Sequence, residues 1–312
     1  MIPVDQSDAY IELITPTRVR LLGATTIEEQ AFCEWYAANY FRGVGCIVEL
    51  GPWLGSITVS TAVGLLRNLP ANTPSIYVYD LFRWERGSSL WARETPFENI
   101  YREGDDFLPL YNEIIAPFKS HIDVNVHAAD LSHETWDSHP IECLINDAWK
   151  TVPVMVNTIC QFFPSLIPGA TLLHQDYLWC TDSFIHIGMY RLRDYFDIVH
   201  RVHNSQMVVF RLNKAIPSNI SEYFADLESI EDFEVEEIEA AFEWSVSLFG
   251  DNHPDAVLVV RAAKAWMLYK VGYIEEARLL FLQNRKSPDY NHPFYLHQED
   301  TLRSWGLVKL LQ

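Results

Sequence analysis

The chain has 312 residues, with 23 Lys and Arg against 42 Asp and Glu, a formal charge of −19 at pH 7. That balance repels phosphate backbones and anionic lipid surfaces, which excludes nucleic acid and membranes as expected partners. Hydrophobic residues at 49% and charged residues at 21% make an ordinary globular composition, and the length suits one enlarged α/β domain with an appended piece.

The opening segment, MIPVDQSDAYIELITPTRVR, lacks the basic, apolar and small-residue succession of a secretory leader. No apolar run reaches the roughly 18–20 residues that a membrane helix requires. The five cysteines (Cys33, Cys46, Cys143, Cys160, Cys180) form no CxxC pair, which argues against a disulfide framework or a structural zinc. A cytoplasmic location is the expectation.

In chain order, Thr26 with Glu29 reads as a capping box, and Ile27, Phe32, Trp35, Tyr36 and Tyr40 continue a helix that Gly43 and Gly45 stop. Cys46–Leu50 (CIVEL) is a buried strand, Gly51-Pro-Trp-Leu-Gly55 a turn, and Ser56 opens a helix to about Asn68. Ser75–Asp80 is a second strand. Glu85–Asp106 reads as an irregular surface segment and Leu108–Lys119 as a helix. Strands follow over 122–128 and Ile141–Asp147, then a helix over Val152–Leu166 ending at Pro168-Gly169. The strand Ala170–Tyr177 and a helix over Ser183–Phe196 come next. Two strands, Asp197–Val202 and Gln206–Leu212, close the pattern across a short turn.

Strands alternating with helices predict a mostly parallel sheet covered on both faces, with one antiparallel strand near an edge. After Pro217 no strand is evident. Glu231–Leu248 carries an apolar stripe of Val235, Ile238, Phe242 and Val246 opposite a solvated acidic face. Ala262–Phe281 looks like one tetratricopeptide unit with no second copy; a lone unit must pack on the main domain or form a dimer contact. The organisation expected is residues 1–214 as one α/β domain with 1–43 a helical lead-in, and 215–312 as a helical extension through which the chain could form a homo-oligomer.

Chemistry concentrates at the strand tips. A glycine-bearing turn after the first strand (Gly51, Gly55, with Trp53 inside) admits a ligand close to the backbone, and the N–H groups of the helix opening at Ser56 favour a negative group. Glu49 just before that turn suits an amine and opposes a bare pyrophosphate. Asp80, ending the second strand, can accept from both hydroxyls of a ribose, a device nicotinamide enzymes share. The spacing is Gly51-x-x-x-Gly55 rather than G-x-G-x-x-G, which favours S-adenosylmethionine over NAD. Asp130 and Leu131 after the third strand suit an adenine amino group and ring; alternatively Asp130 caps a helix at Ser132.

These segments resemble the class I S-adenosylmethionine-dependent methyltransferases, and among them the macrolide-sugar and related antibiotic O-methyltransferases. The residues concerned are VELGPWLGS, YVYDLF, AADLS, INDAWKT and PGATLLHQDY, within about residues 25–213. The resemblance implies a Rossmann-like, seven-stranded sheet with the cofactor at the carboxyl ends of the first strands, touched by Glu49, Gly51, Gly55, Asp80, Asp130 and Leu131. It also implies a divalent cation, such as magnesium, held by carboxylates after the fourth and fifth strands. Here those positions are Asp147, Gln175 and Asp176, and the amide adds no charge to such a site.

Without a metal, His174 is the candidate base, oriented by Asp176 or Asp147, and Lys150 is the candidate anchor for an anionic substrate. The alternative for His174 is a strand residue facing the layer that covers the sheet, and for Lys150 an exposed first-turn helix residue. Trp53, Phe82, Trp84, Trp91, Trp149, Tyr177 and Trp179 lie near the same edge, where they either wall an aromatic or sugar acceptor or simply pack. His186 reads as structural. The function expected is methyl transfer to a hydroxyl of a small molecule, a sugar or secondary metabolite. The rivals are transfer to an amine, a non-catalytic assembly module of the same fold, and an NAD-linked oxidoreductase.

Overall fold

The computed structural model describes residues 8–304, apart from residues 69–72, 86, 93, 94, 96 and 138 and the side chains of Leu90, Trp91 and Asp251. Helix α1 (Ile27–Asn39) starts at the capping box read from the sequence: the Glu29 N–H donates to the Thr26 hydroxyl at 3.2 Å, and the Thr26 N–H donates to the Glu29 carboxylate at 2.7 Å. There follow β1 (Cys46–Leu50), α2 (Ser56–Asn68), β2 (Ser75–Asp80), the short α3 (Ser88–Trp91), α4 (Leu108–Ile115), β3 (Asp123–Ala128) and β4 (Ile141–Asn146). After them come α5 (Val152–Phe162), β5 (Leu166–His174), α6 (Ile185–Arg191), β6 (Phe196–Arg201) and β7 (Val208–Leu212). The extension holds α7 (Val235–Phe249), α8 (Pro254–Lys270), α9 (Ile274–Asn284) and α10 (Pro293–Ser304).

The seven strands form one Rossmann-like sheet in the order β3-β2-β1-β4-β5-β7-β6. It is parallel except for β7, which runs antiparallel to both β5 and β6. Between β1 and β4 the chain order reverses, and crevices at such switch points are where open α/β sheets take ligands.

Alternation along the strands decides which layer each side chain joins. Ile47, Val78, Ile145 and Leu173 pack with α1, α2 and α4, whereas Val48, Leu50, Leu144 and Leu172 pack with α5 and α6. The second core continues without a break into α7, α8, α9 and α10, so the extension packs on the α6 side of the sheet. Polar ties reinforce it. Arg201 of β6 grips Asp255 of α8 bidentately at 2.8 and 2.7 Å, and the Tyr177 hydroxyl meets Ser245 of α7 at 2.9 Å. Among the described residues no helix is long and apolar enough to cross a membrane.

The differences from the expected elements have local causes. Helix α5 ends at Phe162 in a 3-10 turn, and β5 already begins at Leu166, running through Pro168 and Gly169. The ladder tolerates this proline because the β4–β5 register breaks between Ile141 and Cys143, leaving an irregular stretch where its missing N–H costs nothing. Strand β5 stops at His174, so Gln175 to Tyr177 belong to the following turn, and α6 is shorter than the apolar pattern suggests. No helix opens at Ser132.

Candidate active site

A cleft of about 420 Å³ lies over the carboxyl ends of the strands at the switch point. One half of its wall holds Gly51, Trp53, Asp80, Asp130 and Leu131, and the other holds Asp147, Lys150, Gln175, Asp176 and Trp179.

The first half is built from backbone. Gly51 has φ +80°, and a β-carbon there would lie 2.7 Å from the Asp147 carbonyl oxygen. Its glycine is thus demanded by the tip of the neighbouring strand, in addition to any ligand. The Gly51 N–H donates to the Tyr79 carbonyl at 2.9 Å, which pins the turn to β2. Asp80 organises the rest: its carboxylate accepts the Phe82 N–H at 2.6 Å and the Trp53 N–H at 3.3 Å. Burial pushes the Asp80 pKa up to about 6, against the lowering effect of those two bonds. The Trp53 ring rests against Trp84 with centroids 5.9 Å apart and forms a wall, leaving the cleft open. Asp130 is exposed and folds back on Ser132, accepting its N–H at 2.9 Å and its hydroxyl at 2.6 Å, which lowers its pKa. Leu131 beside it is buried.

Three expected cofactor contacts do not line the cleft. Glu49 shares the strand face of Ile47, so its carboxylate passes under the turn into the α2 layer, where it accepts from the hydroxyl and N–H of Thr58. Burial there raises its pKa to about 8, with one oxygen unpartnered. Gly55, at φ +77°, turns toward the Tyr111 ring, which a β-carbon would meet at 3.0 Å. Ser56 is buried and bonded to the Thr25 hydroxyl at 2.8 Å.

The second half is built from converging side chains. The Lys150 ammonium donates to Asp147 at 3.1 Å, to Asp182 at 3.5 Å and, more closely, to Asp176. Burial works to lower the lysine pKa, but Asp176, Asp147 and Asp182 outweigh it and hold the group above the ordinary lysine range. Burial and the facing Asp176 push the Asp147 pKa well up; for Asp176 the same burial is overcome by Lys150 and a hydrogen bond with Asp147, and its pKa falls. The two carboxyl groups are hydrogen-bonded to each other and titrate as a pair. Asp182, raised to about 6 chiefly by burial, completes the cluster.

Sequence reasoning missed Asp182. It sits in the loop after β5 without a motif of its own, and the extension holds that loop: the Trp266 indole N–H donates to the Thr181 carbonyl at 3.1 Å, and the Cys180 N–H donates to the Gln298 side chain at 3.2 Å.

Two roles read from the sequence are corrected. His174 lies on the strand face of Leu172 and is 1% exposed. It is edge-on to Trp149 at 4.8 Å and 3.2 Å from Asn146, with its pKa driven by burial to about 3, so it is a neutral structural residue out of the cleft's reach. Lys150 has its three N–H donors directed at three carboxylates, which leaves none for an anionic substrate. Phe82, Trp84, Trp149 and Tyr177 are packing residues, Trp53 and Trp179 line the cleft, and the Trp91 side chain lies outside the described residues. His186, as read, is structural: buried, neutral, and 3.1 Å from Ser245.

The residues present do not fit the divalent cation that Asp147, Gln175 and Asp176 were expected to hold. The carboxylates point at the Lys150 ammonium, and among the described residues no group of three or more His, Cys, Asp or Glu is arranged to hold a metal. The cleft does fit an adenosyl ligand, offering a buried-edge carboxylate at Asp80, an apolar face at Leu131 and an open turn at Gly51.

No protein-family model matches the sequence, and no curated protein matches it. Among solved structures, the chain is similar to the O-methyltransferase NovP, at 13% identity and TM-score 0.47 over 68% of this chain and 89% of that one. It is similar to the SAH-bound Podospora anserina methyltransferase PaMTH1, at 11% identity and TM-score 0.39 over 68% and 87%. It is also similar to the 23S rRNA methyltransferase ErmE, at 15% identity and TM-score 0.36 over 75% and 82%.

Proposed function

We propose that the chain transfers a methyl group from S-adenosylmethionine to a hydroxyl of a small, uncharged acceptor such as a sugar or secondary metabolite. The observation that carries this reading is the Asp80 carboxylate on the cleft wall at the switch point, between the β1 turn and Leu131. Asp80 would hold the ribose, Leu131 the adenine face, and the Gly51–Trp53 turn the amino-acid end. When bound, the cofactor supplies a sulfonium methyl that is displaced in line, leaving a neutral thioether.

The other half of the cleft handles the acceptor. Asp176, which Lys150 and a hydrogen bond with Asp147 keep toward its anionic form, would receive the acceptor's hydroxyl proton, with Asp147 beside it. Lys150 keeps that pair anionic and fixed, and Trp179 offers a flat apolar wall against a ring. Charge supports a small acceptor over a nucleic-acid strand: the lining carries Asp80, Glu85, Asp130, Asp147 and Asp176 against Arg83 and Lys150. The reading is tested by calorimetry with S-adenosylmethionine and S-adenosylhomocysteine. Micromolar binding of both is the expected result, and binding of neither removes the proposal.

A further inference from the structure

We infer that the Lys150 ammonium is the acceptor pocket's own cation, standing where three carboxylates converge and making the pocket one that takes no divalent metal ion. The geometry is that of an ammonium site. Asp147 and Asp182 lie 3.1 and 3.5 Å from Nζ and Asp176 completes the set, one carboxylate for each N–H. The ammonium occupies the point on which these oxygens converge, and among the described residues no group of three or more His, Cys, Asp or Glu is arranged to hold a metal.

The position of the lysine adds a second argument. Lys150 immediately precedes Thr151, the N-cap of α5, where the helix dipole presents its positive end. A cation there is unfavourable by itself, and the carboxylates are what make the position tenable. The dependence is mutual: two of these acids form a hydrogen-bonded pair that Lys150 holds partly ionised. Gln175 follows from the same logic. With a monovalent cation in the cluster, an acid at that place would add negative charge that nothing offsets, and the amide adds none.

This inference concerns cation binding and stands apart from the methyl-transfer reading, so the two fail separately. The test is a titration with Mn²⁺ alone, followed by water-proton relaxation, on the wild type, Lys150→Ala, Lys150→Met, Asp182→Asn and the double variant Lys150→Ala with Asp182→Asn. Circular dichroism identifies the folded proteins, and Lys150→Met keeps the apolar stem if the alanine variant does not fold. The wild type is expected to leave Mn²⁺ free at millimolar concentration. Removal of the ammonium is expected to tighten binding at least about tenfold, because the acids then close on the metal, and Asp182→Asn is expected to abolish that gain. Mn²⁺ binding to the wild type that Asp182→Asn removes, or no gain in a folded Lys150 variant, would overturn the inference.

Discussion

The two halves of the cleft are made in different ways. Around Gly51, Trp53 and Asp80 the wall is backbone: a left-handed glycine, two N–H groups and one carboxylate that orders them, all within the tips of adjacent strands. Around Lys150 the wall is side chains, drawn from the turn after β4, the turn after β5 and the loop that carries Asp182. That loop is in turn steadied by Trp266 and Gln298 of the extension. A backbone wall is specified locally; a convergent one depends on distant packing, and errors far away reach it.

The sharpest way to break the first half is Gly51→Ala. A left-handed alanine with its β-carbon against the Asp147 carbonyl should cost about 3 kcal/mol in urea denaturation. Next is Asp80→Ala, expected to weaken S-adenosylhomocysteine binding by roughly 30- to 100-fold in calorimetry, in part through loss of the two N–H contacts that order the Trp53 turn. An unchanged affinity would mean that the adenosyl end lies elsewhere.

The two layers on either side of the sheet should also differ in their response to pH. Glu49 has its folded pKa raised to about 8, so the stability its protonated form contributes is complete below about 4.5 and is lost as pH rises toward 8. His174 has its folded pKa lowered to about 3, so its contribution is complete above about 6.5 and is lost as pH falls toward 3. Relative to the wild type, Glu49→Gln should flatten the alkaline limb of a Tm–pH profile and His174→Phe the acid limb, each by up to about 1.4 kcal/mol per pH unit within its window.

The smallest effect is expected in the second half. Trp266→Phe removes the bond to Thr181 and should cost about 1 kcal/mol of stability. Its useful readout is a weakened acceptor with unchanged S-adenosylhomocysteine affinity, which a general loss of packing would not produce.

The same contrast explains what could be read before the structure. Strands β1 and β2 and helix α2 were legible to the residue because short apolar runs end in glycine, proline or aspartate. The limits of β5 were not, since Pro168 looks like a breaker until the irregular register with β4 is seen. At the site, Asp80 was readable as a strand-ending carboxylate. Glu49 was misassigned although it stands only two residues from Gly51, because the parity that sends it under the turn depends on which face α2 covers. His174 failed for the same reason one layer away. Asp182 was invisible, as the loop that carries it is held to the cleft by Trp266 and Gln298, far away in the chain.

The contact between Gly51 and the Asp147 carbonyl has a thermodynamic corollary. On the proposed reading, nucleoside and acceptor would meet directly at the methyl group with this Gly51–Asp147 seam beside both, so whatever tightens the seam from one side would tighten it from the other. Reciprocity then requires an equal synergy in both directions: an acceptor should raise affinity for the thioether nucleoside by the same factor with which the nucleoside raises affinity for the acceptor. Paired titrations that give factors of one on both sides would show the seam to be rigid.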